Sequence, residues 1–253
     1  MLRRLIPYEN NLGRCYNLMS SQAGLINSKT PSGPADVNLL PRSGCTPLMR
    51  FIVEDNIEAA TLCIEEEANI CGVDDQGMTP LIYCARHSTT TEIAALLIRK
   101  KVDVNQSDND GWTPLLHSIA KGITEISKLL IENGAKVNLF NNEGETALMY
   151  CAQYSAVDSA TRLIEYGADV DQENCYGWTP LTYCACYGGS TKIAEILVHE
   201  WADVNHSDHD GWTPLVHCAL NGRMQIADVL VRNGAGISRP VKGKTMKHIG
   251  KLV

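Results

Sequence analysis

Four cysteines and two histidines are the residues whose types and spacing come nearest to catalytic chemistry. The cysteines share one place in a repeating pattern: Cys84, Cys151, Cys184 and Cys218. A thiol becomes a nucleophile when a neighbouring imidazole removes its proton, and His117 or His217 would be that base. A catalytic thiol needs one activated environment, however, whereas these four recur at a single position. A small, weakly polar side chain suits a close helix contact, so packing is the stronger interpretation.

Histidines and aspartates near the end of the chain form the densest group of possible metal ligands. They are His199, Asp203, His206, Asp208 and His209. Three of them lie on one short polar turn, where neighbouring side chains diverge rather than converge on an ion. The equivalent turn at 106–109 has no histidine. No phosphate-binding loop, Gly-x-Ser-x-Gly elbow or His-Glu-x-x-His motif occurs either, so we expect no metal, no cofactor and no enzymatic activity.

Length, charge and hydropathy exclude several other classes of protein. The chain has 253 residues and a net charge of −7, and it lacks the run of about eighteen apolar residues that spans a membrane. Residues 239–253 carry five basic residues and no acid, so the rest holds 17 basic and 29 acidic residues, a net −12. Such a body repels phosphate, which disfavours nucleic acid as a ligand. Without a signal-peptide pattern, the ten cysteines are expected to stay reduced, in the cytoplasm or alternatively the nucleus.

A repeated motif, Thr-Pro-Leu, organises most of the chain. It begins at Thr46, Thr79, Thr113, Thr179 and Thr213, and Thr146 starts a Thr-Ala-Leu variant in the same series. The steps are 33, 34, 33, 33 and 34 residues, and Thr245 begins a truncated seventh unit. A period near 33 residues indicates a solenoid, because a unit of that size cannot bury its apolar face alone. Residues 103–117 recur almost unchanged at 203–217, so three units were copied together.

Each unit predicts two helices followed by a polar turn. Threonine suits the N-cap of the first helix, and proline suits its first position, where a missing N–H costs nothing. The second helix has an apolar stripe that includes Ile126 and Leu130. Gly134, Gly167 and Gly234 end such helices by taking the left-handed conformation. An Asp/Asn/Gly-rich turn follows, which we call the finger and predict to be a β-turn or hairpin.

Gly-x-Thr-Pro-Leu, the helix pair, Asn-Gly-Ala and Asp-Val-Asn together resemble the ankyrin repeat over residues 34–253. The resemblance implies a mainly α solenoid of six repeats, with stacked antiparallel helix pairs, β-hairpin fingers and terminal capping segments. It also implies that protein partners bind the concave face formed by fingers and first helices. Residues 1–33 are then an N-terminal capping segment, with a helix around Tyr8–Ser20 and a Ser/Pro/Gly-rich connector.

The chain departs from the family pattern at two places in the repeat. The family has histidine directly after Thr-Pro-Leu, but here that place holds Met49, Ile82, Leu116, Met149, Thr182 and Val216. We therefore expect the usual Thr–His hydrogen bonding to be absent and to be replaced mostly by apolar contact. Glu67, Lys101 and Trp201 stand where glycine follows the second helix, and each costs roughly 1–2 kcal/mol if it is left-handed.

Aromatic and acidic residues of the fingers and first-helix ends are the candidates for partner contact. Trp112, Trp178 and Trp212 follow the finger glycine, and Glu145 interrupts their series. The remaining candidates are Asp110, Asp210, His209, Tyr154, Tyr176 and Tyr187. Aromatic anchors in an acidic surround suit a partner with basic and apolar side chains. Alternatively the tryptophans brace one finger against the next, and acids such as Asp74, Asp108 and Asp208 are solvated charge.

The sequence therefore predicts a monomeric, non-catalytic module that binds a protein or peptide partner. It would act as an adaptor, a scaffold or a tethered inhibitor. Two alternatives stay open, a cysteine- or metal-dependent enzyme on an atypical solenoid and a purely structural array.

Overall fold

The computed structural model describes residues 44–66 and 69–236. The chain divides into two compact units, Met1–Asn109 and Asp110–Val253, which we call unit 1 and unit 2. Several predictions concern segments outside the described residues: the N-terminal capping segment 1–33, Glu67, the basic stretch 239–253 and the truncated unit from Thr245. None of the helices within the described ranges is long and apolar enough to cross a membrane.

Unit 1 has four helices in its described part. They are α1 (Pro47–Val53), α2 (Ile57–Glu65), α3 (Pro80–His87) and α4 (Glu92–Arg99). Helix α1 packs against α2 and α3, and α2 packs against α4, so two helix pairs lie side by side. Phe51 and Ile52 of α1 are buried at 3% exposure each, although small residues are usual there.

Unit 2 has eight helices in its described part. They are α5 (Pro114–Lys121), α6 (Thr124–Glu132), α7 (Ala147–Tyr154), α8 (Val157–Glu165), α9 (Pro180–Tyr187), α10 (Thr191–His199), α11 (Pro214–Asn221) and α12 (Met224–Arg232). The first helices α5, α7, α9 and α11 pack against one another in order, and the second helices do the same. The predicted mainly α architecture of stacked helix pairs is therefore confirmed within each unit.

The first helices begin where the sequence predicts. The threonine hydroxyl accepts a hydrogen bond from the amide three residues on at Thr46, Thr79, Thr113, Thr146 and Thr179. Thr213 is the exception, because its buried Oγ1 has no partner among the described residues. Proline occupies the start of the helix in every first helix except α7.

Two methionines change the expected contact after Thr-Pro-Leu. The backbone N–H of Thr46 donates to the sulfur of Met49, and that of Thr146 donates to the sulfur of Met149, each over 3.4 Å. A thioether sulfur is a weak acceptor. A hydrogen bond also joins Oγ1 of Thr182 to Oγ1 of Thr179, over 3.3 Å. Hydrogen bonding therefore occurs at three of the six positions, although apolar contact was expected at most of them.

Five of the described second helices are followed by a left-handed residue, as predicted. Gly134, Gly167 and Gly234 have φ of 89°, 85° and 87°. Lys101 and Trp201, which replace glycine at this place, have φ of 64° and 68°. Side chains other than glycine are strained there because Cβ approaches the following carbonyl oxygen, so two junctions carry backbone strain.

The fingers are tight turns rather than extended hairpins. One isolated antiparallel bridge, between Phe140 and Thr146, is the sole β pairing in the described residues. Four of the turns close through a backbone hydrogen bond, such as the one from Asn174 N to Trp178 O at 3.1 Å. The fingers are thus shorter than the hairpins that the family resemblance implies.

Candidate functional site

In four of the five described fingers, one aspartate or asparagine closes the turn and reaches the helix that follows. In the last finger, Asp208 Oδ1 accepts from the amides of Asp210 at 3.0 Å and Trp212 at 2.9 Å, while Oδ2 lies 2.8 Å from Nε2 of His217. The equivalent pairs are Asp74–Tyr83, Asn141–Tyr150 and Asn174–Tyr183. Asp74 and Asp208 are only 4% and 7% exposed, so the prediction that they are solvated charge is wrong. In each of these turns, the side-chain oxygen of the aspartate or asparagine accepts hydrogen bonds from the backbone amides of its own turn.

The three finger tryptophans lie half-buried against the first helices of unit 2. The ring of Trp112 is 4.9 Å from that of Tyr150 on α7. Trp178 and Trp212 approach the imidazole of His217 from neighbouring fingers, at 5.4 and 5.5 Å. These contacts brace the fingers, and part of each indole remains in contact with solvent. Bracing and partner contact are therefore compatible roles.

The three predicted tyrosines are exposed and belong to two groups. Tyr154, Tyr176 and Tyr187 are 53%, 57% and 48% exposed. The structure brings Tyr176 and Tyr187 together around Trp178, with ring centroids 6.2 and 6.4 Å away. Tyr154 instead stacks on Tyr150, at 6.2 Å. Tyr176 and Tyr187 therefore form one exposed aromatic group with Trp178, and Tyr154 forms a second with Tyr150.

The predicted residues at the finger tips are all exposed. Asp110, His209 and Asp210 direct their side chains to solvent, while their backbones join neighbouring fingers. The carbonyl of Asp110 accepts from Asn142 N at 2.9 Å, and His209 N donates to Tyr176 O at 3.1 Å. The finger tips therefore expose their polar side chains, while backbone hydrogen bonds join each tip to its neighbour.

Glu145 takes the place that tryptophan holds in the other unit 2 fingers, and the repeat pattern alone assigns it no role. Its half-buried carboxylate accepts hydrogen bonds from the hydroxyls of Tyr150 and Tyr183 and from Asn141 Nδ2, the last at 2.9 Å. One turn further along the same two helices stands a second tyrosine. We call these five residues the tyrosine–glutamate cluster: Glu145, Tyr150, Tyr154, Tyr183 and Tyr187.

The tyrosine–glutamate cluster holds a negative charge without a basic partner. Burial, and then the hydrogen bond to Glu145, raises the pKa of both Tyr150 and Tyr183. Both hydroxyls therefore stay protonated and donate to the carboxylate. No lysine or arginine of the described residues forms an ion pair with Glu145. The charge is stabilised by neutral donors alone.

The fingers of unit 2 are uniformly acidic. Residues 110–112, 138–145, 171–178 and 205–212 contain no lysine and no arginine. Their seven acids are Asp110, Glu143, Glu145, Asp171, Glu173, Asp208 and Asp210. This charge favours cationic groups at the finger surface.

The four recurring cysteines occupy a fully buried position. Cys84, Cys151, Cys184 and Cys218 each have 0% exposure. Burial raises the pKa of all four thiols, to about 12 at Cys84, Cys184 and Cys218. A protonated, inaccessible thiol behaves as a small apolar side chain, which agrees with the packing interpretation.

A different cysteine approaches a histidine, and the sequence did not indicate it. Cys186 Sγ lies 3.3 Å from Nδ1 of His217, whose other nitrogen contacts Asp208. The order thiol, imidazole, carboxylate is the order found in nucleophilic active sites. Burial, followed by the charge of Asp208, raises the pKa of Cys186 to about 12. The thiol is therefore a hydrogen-bond donor at neutral pH.

The histidines considered as metal ligands have separate partners. His199 Nδ1 lies 3.1 Å from Glu200 Oε1, and His206 Nε2 lies 3.1 Å from the carbonyl of Gly177. The described residues contain no group of three or more histidines, cysteines, aspartates or glutamates that could hold a metal ion.

Comparison with known proteins gives two similarities. The family model described as ankyrin repeats (3 copies) matches residues 10–108, 90–174 and 158–240, a span that includes every described helix. A crystal structure of an ankyrin repeat domain from Acinetobacter baumannii is 30% identical, with a TM-score of 0.68. The match covers 75% of this chain and 98% of that one. No curated protein matches this chain significantly.

Proposed function

The chain belongs to the ankyrin repeat family, and on that premise we propose that it is a non-catalytic module that binds a protein or peptide partner. Ankyrin repeats are generally protein–protein interaction modules. We assign binding to the finger–helix surface, which consists of the unit 2 fingers and the first helices α5, α7, α9 and α11. The partner segment would carry basic and apolar side chains. Whether the module acts as an adaptor, a scaffold or an inhibitor depends on that partner.

One observation supports this proposal most directly. Half-buried tryptophans and exposed tyrosines occur together with seven carboxylates, six of them exposed or half-buried, and the fingers contain no lysine or arginine. Tryptophan and tyrosine contribute large contact areas at low entropic cost, and they dominate interface energies. Carboxylates around them steer a basic partner towards the surface.

Affinity capture with the full chain tests the proposal. The test variant combines Trp112→Ala with Trp212→Ala, which removes two finger anchors while Trp178 stays. We expect proteins captured by the wild type to be lost from the double variant. Thermal unfolding of both proteins, measured alongside, reports how much the same rings contribute to stability.

Trp201→Ala is the matched control, because Trp201 is 90% exposed and follows the second helix α10 rather than a finger. Its capture pattern should equal that of the wild type. If the double variant keeps all partners and only melts earlier, the tryptophans are framework and the finger–helix surface is not the binding surface.

The second candidate, a cysteine-dependent enzyme, has the Cys186–His217 contact in its favour. The raised pKa of the Cys186 thiol opposes that role, because the nucleophile in such an enzyme is the thiolate. Thiol labelling at pH 7 separates the two candidates. The module predicts that Cys186 reacts more slowly than the exposed Cys175. Labelling of Cys186 ahead of Cys175 would favour the enzyme.

A further inference from the structure

We propose that the tyrosine–glutamate cluster receives a lysine side chain of the partner, with the ammonium group over the Glu145 carboxylate and the alkyl chain along the tyrosine rings. This inference rests on the proposed function and names what the finger–helix surface recognises at its centre. It assigns Glu145 as a specificity residue.

The hydrogen bonds of Glu145 leave one acceptor position open. Oε2 accepts from Tyr150 and from Asn141, whereas Oε1 accepts from Tyr183 only. A carboxylate offers about four acceptor positions, two on each oxygen. One more donor can therefore bind at Oε1 without displacing a protein group. An incoming cation would also supply the positive charge that the described surroundings lack.

The open position favours lysine over arginine. A guanidinium binds a carboxylate best through two parallel N–H groups, which need both oxygens. Here Oε2 is already occupied by two donors. An ammonium group binds as a compact point charge and requires only one acceptor.

The tyrosines give this position aromatic walls. Tyr154 and Tyr187 are about half exposed and continue the rings of Tyr150 and Tyr183, at 6.2 and 5.5 Å. Tyr150 on α7 and Tyr183 on α9 both donate to Glu145, so the two helices bring their tyrosines to one carboxylate. Cations are attracted to the faces of such rings, by about 0.5–2 kcal/mol each.

A structural role alone does not explain a glutamate here. The equivalent finger position holds Trp112, Trp178 or Trp212 in the other units of the same stack, and an indole fills it with apolar surface. Placing a carboxylate there costs desolvation that neutral donors only partly offset. A residue that breaks the local rule of its repeat, with no opposite charge beside it among the described residues, is typical of a functional position.

The experiment titrates the full chain, carrying ring-labelled tyrosine, with Nα-acetyl-lysine methylamide and follows the tyrosine resonances by NMR. We expect saturable shifts at the four cluster tyrosines. The arginine analogue should bind at least threefold more weakly, and the uncharged norleucine analogue should produce no saturable shift. Equal responses to the lysine and norleucine probes would overturn the inference.

Glu145→Gln is the test variant, and Glu143→Gln is its matched control. Both remove one charge from the same finger, but the Glu143 side chain is exposed at the tip. We expect at least a tenfold loss of lysine-probe affinity in Glu145→Gln and less than a twofold change in Glu143→Gln. Equal losses of affinity in the two variants would mean that the lysine probe responds to the overall charge of the finger, which contradicts the inference.

Glu145→Trp is a second variant that tests whether loss of the lysine response comes from misfolding. Three equivalent fingers already carry tryptophan at this position. We expect the variant to fold, by circular dichroism and thermal melting, and to lose the lysine response. Partner capture distinguishes the two proposals. In one outcome, capture depends on Trp112 and Trp212 while binding of the lysine probe does not depend on Glu145. That result supports the proposed binding module and contradicts the lysine site. If the probe binds but no capture depends on the fingers, the module proposal fails instead.

Discussion

His217 Nε2 lies 2.8 Å from Asp208 Oδ2, and this contact ties the last described finger to the helix that follows it. Both side chains are buried, at 5% and 7% exposure. The other oxygen of Asp208 accepts two backbone amides of its own turn. One carboxylate therefore sets both the shape of the finger and its position on α11.

Removing that carboxylate should destabilise unit 2. Asp208→Ala deletes three hydrogen bonds and leaves His217 Nε2 without its aspartate, so we expect a loss of about 1–3 kcal/mol in unfolding free energy. Asp208→Asn should lose less, because asparagine already does this job at Asn141 and Asn174. Urea unfolding of the three proteins checks the order. Equal losses in both variants would mean that the retained amide-accepting oxygen contributes nothing and that the whole effect comes from the carboxylate contact with His217.

Relieving backbone strain at Trp201 should stabilise the protein. Its φ of 68° is left-handed, and its ring is 90% exposed, so little packing is lost with it. Trp201→Gly removes a strain of roughly 1–2 kcal/mol, part of which is offset because glycine gains entropy in the unfolded chain. We expect a net gain of about 0.5–1 kcal/mol in urea unfolding.

Gly167→Ala is the reverse control, since Gly167 has a φ of 85° at an equivalent helix end and nothing lies within 4 Å of an added Cβ. It should lose about 1 kcal/mol from backbone strain alone. A destabilised Trp201→Gly would mean that the exposed indole contributes contacts worth more than the strain.

The duplicated segments provide a matched pair for the threonine caps. Thr113 and Thr213 stand at equivalent places in two nearly identical stretches, but only Thr113 Oγ1 accepts an amide hydrogen bond. Thr113→Val should cost about 0.5–2 kcal/mol. Thr213→Val should change stability by less than about 0.5 kcal/mol, because it deletes a buried hydroxyl that has no partner among the described residues. Thermal unfolding of both variants measures the difference, and identical losses would refute it.

The sequence predicted the parts of this fold that depend on local rules. Threonine caps, proline at the helix start and left-handed glycines at helix ends each follow from neighbouring residues along the chain. The buried state of Asp208 was missed, because an acid on a polar turn looks solvated until its carboxylate is seen to accept the amides of the turn. Charge and turn composition do not separate these two states.

The centre of the candidate site was missed for a different reason. Glu145 was visible as an interruption of the tryptophan series, yet its partners lie in two different repeats. Tyr150 follows it by five residues and Tyr183 by 38. Only the stacking of α7 on α9 brings both hydroxyls to one carboxylate. The recurrence of tyrosine at the same helix position in two successive units was the available signal. The Cys186–His217 contact escaped notice for the same reason.

Stability should fall steeply in alkaline solution. Burial raises the pKa of Cys84, Cys184 and Cys218 from 9.0 to about 12, so the folded protein keeps protons that the unfolded chain releases. Below about pH 8 both states hold these protons and their contribution is fully present. Between pH 9 and 12 this contribution to the free energy of unfolding is lost, at up to about 1.4 kcal/mol per pH unit for each thiol. Urea unfolding under reducing conditions at pH 8, 9, 10 and 10.5 measures this slope.

Two alanine variants assign that slope to the buried thiols. Cys184→Ala removes one titrating group from a fully buried position that already suits small side chains, so it should flatten the curve by about one proton. Cys175→Ala removes an exposed thiol and should leave the slope of the wild type. Parallel curves for wild type and Cys184→Ala would show that the thiols ionise without unfolding. The recurring cysteine position would then be open enough to admit a charge, contrary to a tightly packed contact between first helices.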